Sequence, residues 1–334
     1  YHMDGFPTFA LDPVHTQEQR LLCQSHASLP LEDGKILLVD MRHELMNLCT
    51  VAEDFSVTML PVPFSASGSV QGETDVERQR QREVCMWAVT GVHIDGQVFF
   101  WAQCDSEYSC HVLSLDSLTW DSLVFPDLKG LSVSSTFSLD GYVFLVTEPS
   151  RDGRYTTLQR QNSMATWFYR PQDIEQGVLG QDIETSPVLL ACTTPHELAF
   201  RPAVVSGRAY AYTTDRGMMS FGPPDTESNR CNVSDYCWSD PVTTAVPPYV
   251  VHRVSVHIPV GRHVLILIAA VNMAAWADDD HTVLAYDTVS STYHACRKIS
   301  VLRGFSVVLS PSPAIFLATE GKRCHILRVV EGEE

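Results

Sequence analysis

This sequence has no long apolar run, few basic residues and no zinc-type cysteine knuckle, and each shortage excludes something. Its longest apolar stretch, Val264 to Val271, has the length of a buried strand and falls far short of the roughly 20 residues a membrane-crossing helix needs. Lys and Arg number 23 against 40 Asp and Glu, a formal net charge of −17. Such a surface repels a phosphate backbone or an anionic bilayer, so nucleic acid and membrane are not expected partners. The one basic run, Arg78-Gln79-Arg80-Gln81-Arg82, reads as a solvated loop.

Catalytic signatures are equally scarce. There is no Gly-x-Ser-x-Gly elbow, phosphate loop or His-Glu-x-x-His helix. His252 and His257 are five positions apart, so a strand sends them to opposite faces. Asp278-Asp279-Asp280-His281 is the densest group of hard ligands. Adjacent aspartates on one turn repel each other, and the group reads as an acidic turn rather than a Ca²⁺ site. No enzyme activity, cofactor or metal is expected.

Cysteines are plentiful, ten in all, but unevenly spaced. Cys104 with Cys110 and Cys231 with Cys237 each bracket a polar loop, which makes them candidate disulfides in an oxidising compartment. Asn232-Val233-Ser234 is a glycosylation sequon that fits the same setting. The other six lie in apolar runs and read as small buried hydrophobes. An intracellular, reduced protein is the expected reading, with a secreted one as the alternative.

What the sequence does have is a recurring phrase: a glycine turn followed by strand-forming residues. It occurs as Asp33-Gly34 leading to Val39, Asp95-Gly96 to Trp101, Asp140-Gly141 to Val146, Ser206-Gly207 to Tyr212, and Gly261 to Leu265. A sixth copy, Ser312 to Leu317, lacks the glycine. Ahead of each copy stands another β-rich run, such as Val84 to Ile94 or Val250 to Ile258. These are strands a and b of a hairpin. After strand b a third run leads through a short loop to an aromatic at the start of strand d: Trp120, Trp167 (after a strand c at Thr157 to Arg160), Trp238 and Tyr293. A ring there would fill the gap between wedge-shaped neighbouring sheets.

The last unit, with runs at Phe305–Leu309, Ile315–Ala318 and Cys324–Val330, ends without a strand d, while Phe6–Leu11 precedes the first strand a at Arg20–Ala27. Residues 4–334 are therefore expected to form one all-β domain, a six-bladed β-propeller of four-stranded blades closed by an N-terminal strand in the last blade. Tyr1-His2-Met3 reads as a cloning remnant.

The phrases Asp-Gly-x-Val-Phe at Asp95 to Phe99, Leu-x-Leu-Asp-x-Leu-x-Trp at Leu113 to Trp120, and Tyr-Asp leading to a second Tyr at Tyr286 to Tyr293 resemble kelch repeats and the related galactose-oxidase-type propellers. The Gly-Gly pair usual at the end of a kelch strand b is replaced here, for example by Trp101-Ala102 and Ala269-Ala270. The resemblance implies a platform that binds a protein or peptide, a subunit or adaptor of a larger complex, because most kelch-like propellers bind proteins. A WD40-like scaffold and a secreted carbohydrate-active or other propeller enzyme are the alternatives.

In such a ring the b–c turns and d–a connections share one face, and the a–b and c–d turns share the other. The first face is expected to carry Arg42, His43, Asp105, Glu107, Tyr108, Arg151, Arg154, Tyr155, Arg216, Trp276, Asp278, Asp280, Lys322 and Arg323. It is also expected to carry the long connections Ser65 to Arg82 and Pro171 to Pro187. Long loops cost closure entropy and tend to be kept for function, so this is the candidate binding face.

Overall fold

The computed structural model describes residues 8–13, 27–31, 33, 35–42, 45–52, 56–61, 90–104, 107–125, 128, 131–149, 164–171, 189–193, 202–213, 217–224, 232–243, 251–271, 281–299, 307–309, 315–320 and 323–330. They contain strands β1 (Thr8–Pro13), β2 (Ala27–Pro30), β3 (Ile36–Arg42), β4 (Leu45–Val51), β5 (Val57–Leu60), β6 (Thr90–Ile94), β7 (Gln97–Cys104), β8 (Glu107–Ser114), β9 (Trp120–Val124), β10 (Leu131–Leu139), β11 (Tyr142–Pro149) and β12 (Ala165–Tyr169). There follow β13 (Leu189–Thr193), β14 (Ala203–Val205), β15 (Arg208–Thr213), β16 (Gly217–Gly222), β17 (Cys237–Trp238), β18 (Val251–Val260), β19 (His263–Val271), β20 (His281–Asp287), β21 (Thr292–Ile299), β22 (Val307–Leu309), β23 (Ile315–Glu320) and β24 (Arg323–Val330).

Five antiparallel blades are each built from four strands consecutive in the chain: β2–β5, β6–β9, β10–β13, β14–β17 and β18–β21. The expectation of six blades is corrected accordingly, because the contiguous four-strand unit occurs five times. The remaining four-stranded sheet is assembled from distant parts of the chain, in the order β1-β24-β23-β22, with Thr8 opposite Val330 and Pro13 opposite His325. Innermost strands touch in the order β2, β6, β10, β14, β18, β22, and β22 also touches β2.

Strand b explains why the sheets stack. Successive side chains of a strand leave on opposite faces, and here both faces are apolar. In β7, Val98 and Phe100 pack toward the first blade while Phe99 and Trp101 pack toward the third. In β11, Val143 and Leu145 face the second blade, and Phe144 and Val146 the fourth. In β15, Ala209 and Ala211 face back while Tyr210 and Tyr212 face forward. A strand buried on both sides reads as a continuous apolar run, which is why the glycine-led phrases stood out.

Three a–b turns have a positive φ at both central residues: 49° and 74° at Asp95-Gly96, 51° and 77° at Asp140-Gly141, 49° and 73° at Ser206-Gly207. That is the type I′ turn, whose twist matches the strands it joins.

Several boundaries move. Strand β1 runs on to Pro13, β2 runs on from Ala27 to Pro30, and β6 covers Thr90–Ile94, while residues 6–7, 20–26 and 84–89 of the expected runs lie outside the described residues. In the third blade Trp167 lies inside strand c, and strand d is β13. The connection 172–188 is therefore a c–d connection and belongs to the face opposite the one expected. The proposed strand c at Thr157 to Arg160 lies outside the described residues.

Candidate interaction surface

The ends of the strands fix where the expected binding residues stand. Arg42 ends β3 opposite Leu45, Glu107 and Tyr108 open β8 opposite Cys104 and Gln103, and Arg323 opens β24 opposite Glu320. Each stands at the b–c end of its own sheet. His43, Asp105, Arg151, Arg154, Tyr155, Arg216, Trp276, Asp278, Asp280 and Lys322 fall in b–c connections outside the described residues. Among the described residues no three His, Cys, Asp or Glu side chains are grouped as metal ligands, and no helix is long and apolar enough to cross a membrane.

Register bears on one candidate disulfide, Cys104 with Cys110. A two-residue turn joins β7 to β8, so Cys104 faces Glu107 and Cys110 faces Trp101. Cys110 is thus three positions down the ladder from Cys104, beyond the reach of a disulfide. Its thiol is free and buried, and burial pushes its pKa up. Cys237 is free and exposed, while Cys231 lies outside the described residues.

On the opposite face two c–d turns have one geometry although their sequences differ. In Ser114 to Trp120 the Ser117 N–H donates to the Ser114 hydroxyl at 3.4 Å, and Ser117 and Thr119 share a hydroxyl bond of 2.6 Å. In Asp287 to Tyr293 the Ser290 N–H donates to the Asp287 carboxylate at 3.3 Å, and Ser290 and Thr292 share one of 2.7 Å. Leu118 and Ser291 occupy the same position and both have φ 54°. Each turn also leans on its a–b neighbour: Leu115 N–H donates to the Gly96 carbonyl and Thr288 N–H to that of Arg262.

Asp287 gives the fifth-blade turn its charge. Its carboxylate accepts from the Val289 N–H at 2.9 Å, meets the Arg262 guanidinium at 2.9 Å and lies 3.7 Å from His263 Nε2. Burial alone would raise its pKa, but the N–H donors of Val289 and Ser290, with the Arg262 and His263 charges, hold it below the usual carboxylate range. For His263 desolvation outweighs the pull of Asp287, and its pKa is lowered. No sequence signal marks this group, since Arg262, His263 and Asp287 meet only through the β19–β20 register.

The strand-d aromatics reach into the preceding blade. Trp120 Nε1 donates to the Pro61 carbonyl at 3.0 Å, and Trp238 Nε1 to the Thr166 hydroxyl at 2.9 Å. The Tyr293 hydroxyl donates to the Val242 carbonyl at 2.7 Å and accepts from the Met218 N–H at 2.6 Å. Trp167 differs, as expected of a strand-c residue: its indole bonds to Thr147 in its own sheet.

Radial four-stranded sheets whose inner strands adjoin define a β-propeller. Solved structures of similar shape include a Bacteroides fragilis protein described as exported, 10% identical with a TM-score of 0.52, covering 98% of this chain and 96% of that one. The β-propeller domain of Cps50 (Swd1) from Myceliophteria thermophila is 9% identical, with a TM-score of 0.47 over 96% of this chain and 98% of its own. A neuraminidase-like N11 protein of a flat-faced bat virus is 10% identical, with a TM-score of 0.49 over 99% and 96%. At such identity the likeness shows the fold alone. No family model and no curated protein matches the chain.

Proposed function

We propose that this propeller is a kelch-like platform that works by binding, not catalysis, and that it holds a protein or peptide on its b–c and d–a face inside the cell. The observation that carries the reading is how the strands divide the chain. The a–b turns of the second to fifth blades have two residues each, whereas residues 61–89 separate β5 from β6 and residues 150–164 separate β11 from β12 in the chain. Rigid ladders hold the chain that leaves their b–c ends in fixed positions, which makes a scaffold for recognition. The two c–d turns that carry the kelch-like phrases share one geometry, which supports the kelch-like assignment. The candidate anchors are Arg151, Arg154 and Tyr155, all in the 150–164 connection.

The test is affinity capture from the native cell, comparing the parent with Arg151→Glu/Arg154→Glu. A stoichiometric partner should be lost while the melting temperature stays unchanged. Retention of every co-purifying protein by the charge-reversed variant would remove this face as the binding site.

A further inference from the structure

An imidazole bonds the fourth blade to the fifth. His257 of β18 stands opposite Ile266, which packs toward the fourth blade, and its Nε2 accepts the Tyr212 N–H at 2.9 Å. Both residues are buried, at 3% and 1% exposure. A backbone amide only donates, so Nε2 must present its lone pair and the ring proton must sit on Nδ1. The bond therefore requires a neutral ring. An imidazolium carries an N–H on each nitrogen, and its Nε2–H would confront the Tyr212 N–H, which is fixed in β15 and has nothing to accept with. Closure around a charged ring would set a buried cation against a buried donor.

The groups around the ring respond to acid differently. Among the described residues, the titratable side chains clustered in this seam are Tyr210, Tyr212, Tyr286 and Tyr293, and phenols ionise well above imidazoles. His263 and Asp287 pair with each other on the other face of the fifth blade, and Arg253 stands opposite Ala269 on that face as well. His252 does not. It stands opposite Ala270, so register places it on the same side of the sheet as His257, four ladder positions away; the β-bulge between Val254 and Val256 resets the alternation and corrects the expectation of opposite faces.

We propose that His257 is a proton-operated latch: neutral, it closes the fourth blade onto the fifth, and protonated, it opens that seam. A free imidazole takes its proton near pH 6.5, while the closed seam occupies the lone pair that would receive it. The latch is therefore closed above that pH and loses its hold as pH falls below it. Between pH 7.5 and pH 5.0 the ratio of open to closed seam should rise about 30-fold. Tyr212 is the next-to-last residue of β15, so the latch secures the b–c end of the fourth blade. A consequence for binding rests on the reading of that face given above: acid would loosen a partner held there. The latch itself is independent of it.

Hydrogen exchange at single-residue resolution, on the full chain with no partner present, tests the latch at pH 7.5 and pH 5.0, each rate divided by the intrinsic rate at that pH. The protection of the Tyr212 amide should fall about 30-fold at the lower pH while β7 and β11 keep theirs. In His257→Gln the side-chain carbonyl can still accept the Tyr212 N–H but does not titrate, so protection should be the same at both pH values. His252→Gln should leave the response of the parent in place. The parent decides the matter even if a variant folds poorly: unchanged protection at Tyr212, or a fall shared by every blade, would overturn the proposal. So would a response that survives His257→Gln or disappears in His252→Gln.

Discussion

The seam between the second and third blades and the seam between the fourth and fifth bury similar strands in different ways. The first is dry. Phe99, Trp101, Phe125 and Tyr169 cluster with ring centroids 5.2 to 6.3 Å apart, and the buried Trp101 Nε1 and Tyr169 hydroxyl have no nitrogen or oxygen partner. The second is stitched by polar groups. The buried His257 of β18 accepts the Tyr212 N–H through Nε2 at 2.9 Å, and Tyr293 bridges Met218 and Val242. Strand length accounts for the contrast. The sheet of β6–β9 has strands of five and eight residues and completes most of its own ladder, whereas β14 has three residues and β17 two. Strand β14 begins only at Ala203, opposite Tyr210, so it gives Tyr212 no ladder partner, and a side chain from the next blade takes over. Buried backbone donors must be satisfied, and polar seams appear where a ladder falls short.

The same substitution should separate the second blade from the fourth most sharply at glycine. A Cβ on Gly217, whose φ is 111°, would stand 2.0 Å from the Val242 carbonyl oxygen, while one on Gly91 in β6 would meet the Leu29 side chain at 2.9 Å and the Phe99 carbonyl oxygen at 3.0 Å. Gly217→Ala is expected to cost about 3 kcal/mol or more, because backbone strain and a backbone clash add. Gly91→Ala is expected to cost about half of that, since the Leu29 methyl can rotate away. Denaturant unfolding of both variants measures the difference; equal losses would mean that the fourth blade is not pinned at Val242.

Removing one hydroxyl from each seam should have opposite consequences. Tyr293→Phe leaves the Val242 carbonyl and Met218 N–H with only their own longer mutual bond of 3.1 Å, for an expected loss of about 1–2 kcal/mol. His257→Leu, which orphans the Tyr212 N–H, should cost about 1–3 kcal/mol. Tyr169→Phe removes a hydroxyl buried beside the Cys110 thiol and should be neutral or slightly stabilising. A destabilisation by Tyr169→Phe as large as that by Tyr293→Phe would end the distinction between dry and stitched seams.

The dry features were the legible ones. Apolar runs such as Val98 to Trp101 and the turn pairs Asp95-Gly96 and Asp140-Gly141 carry local signals, a two-sided apolar strand and a positive φ. The stitches carry none: His257 meets Tyr212 across 45 residues and Tyr293 meets Met218 across 75. Trp167 misled because an aromatic after a strand-like run matches the strand-d pattern, yet Ala165 to Tyr169 pairs with both β11 and β13 and is itself strand c. Cys104 and Cys110 misled because a disulfide is judged by cross-strand register, which the spacing of two cysteines alone does not fix. The binding loops carry polar residues without periodicity, so their membership of a face follows from the strands around them and their chemistry does not.

The two c–d turns allow a finer comparison, since the turn N–H is accepted by a carboxylate, Asp287, in one and by a hydroxyl, Ser114, in the other. Asp287→Ser gives the fifth-blade turn the hydroxyl that Ser114 supplies in the second. At pH 7 it should cost about 1 kcal/mol, an amount limited by the solvent exposure of Arg262. The depressed pKa of Asp287 means that its contribution is full above the unfolded carboxylate value and fades as pH falls below about 4. His263, also depressed, adds a loss that begins as pH falls below about 6.5. Melting curves from pH 7 to pH 3 should show the penalty of Asp287→Ser shrinking toward zero at the acid end; a penalty independent of pH would assign the turn's stability to shape alone.

The smallest effect is expected at the shared left-handed position. A residue with a Cβ pays about 1–2 kcal/mol to hold φ 54°, and glycine recovers most of that but loses more chain entropy on folding. Leu118→Gly should therefore stabilise by about 0.5 kcal/mol, while Leu118→Val, branched at Cβ, should destabilise by about 1 kcal/mol. Ser291 tolerates the same φ, and because Ser290 and Thr292 brace each other as Ser117 and Thr119 do, Ser291→Gly should change stability by a similar small amount. Urea unfolding of the pair reads both. If Leu118→Gly were clearly destabilising, the exposed leucine would be contributing packing at the second blade's rim, and the two turns would be alike in backbone but not in what holds them.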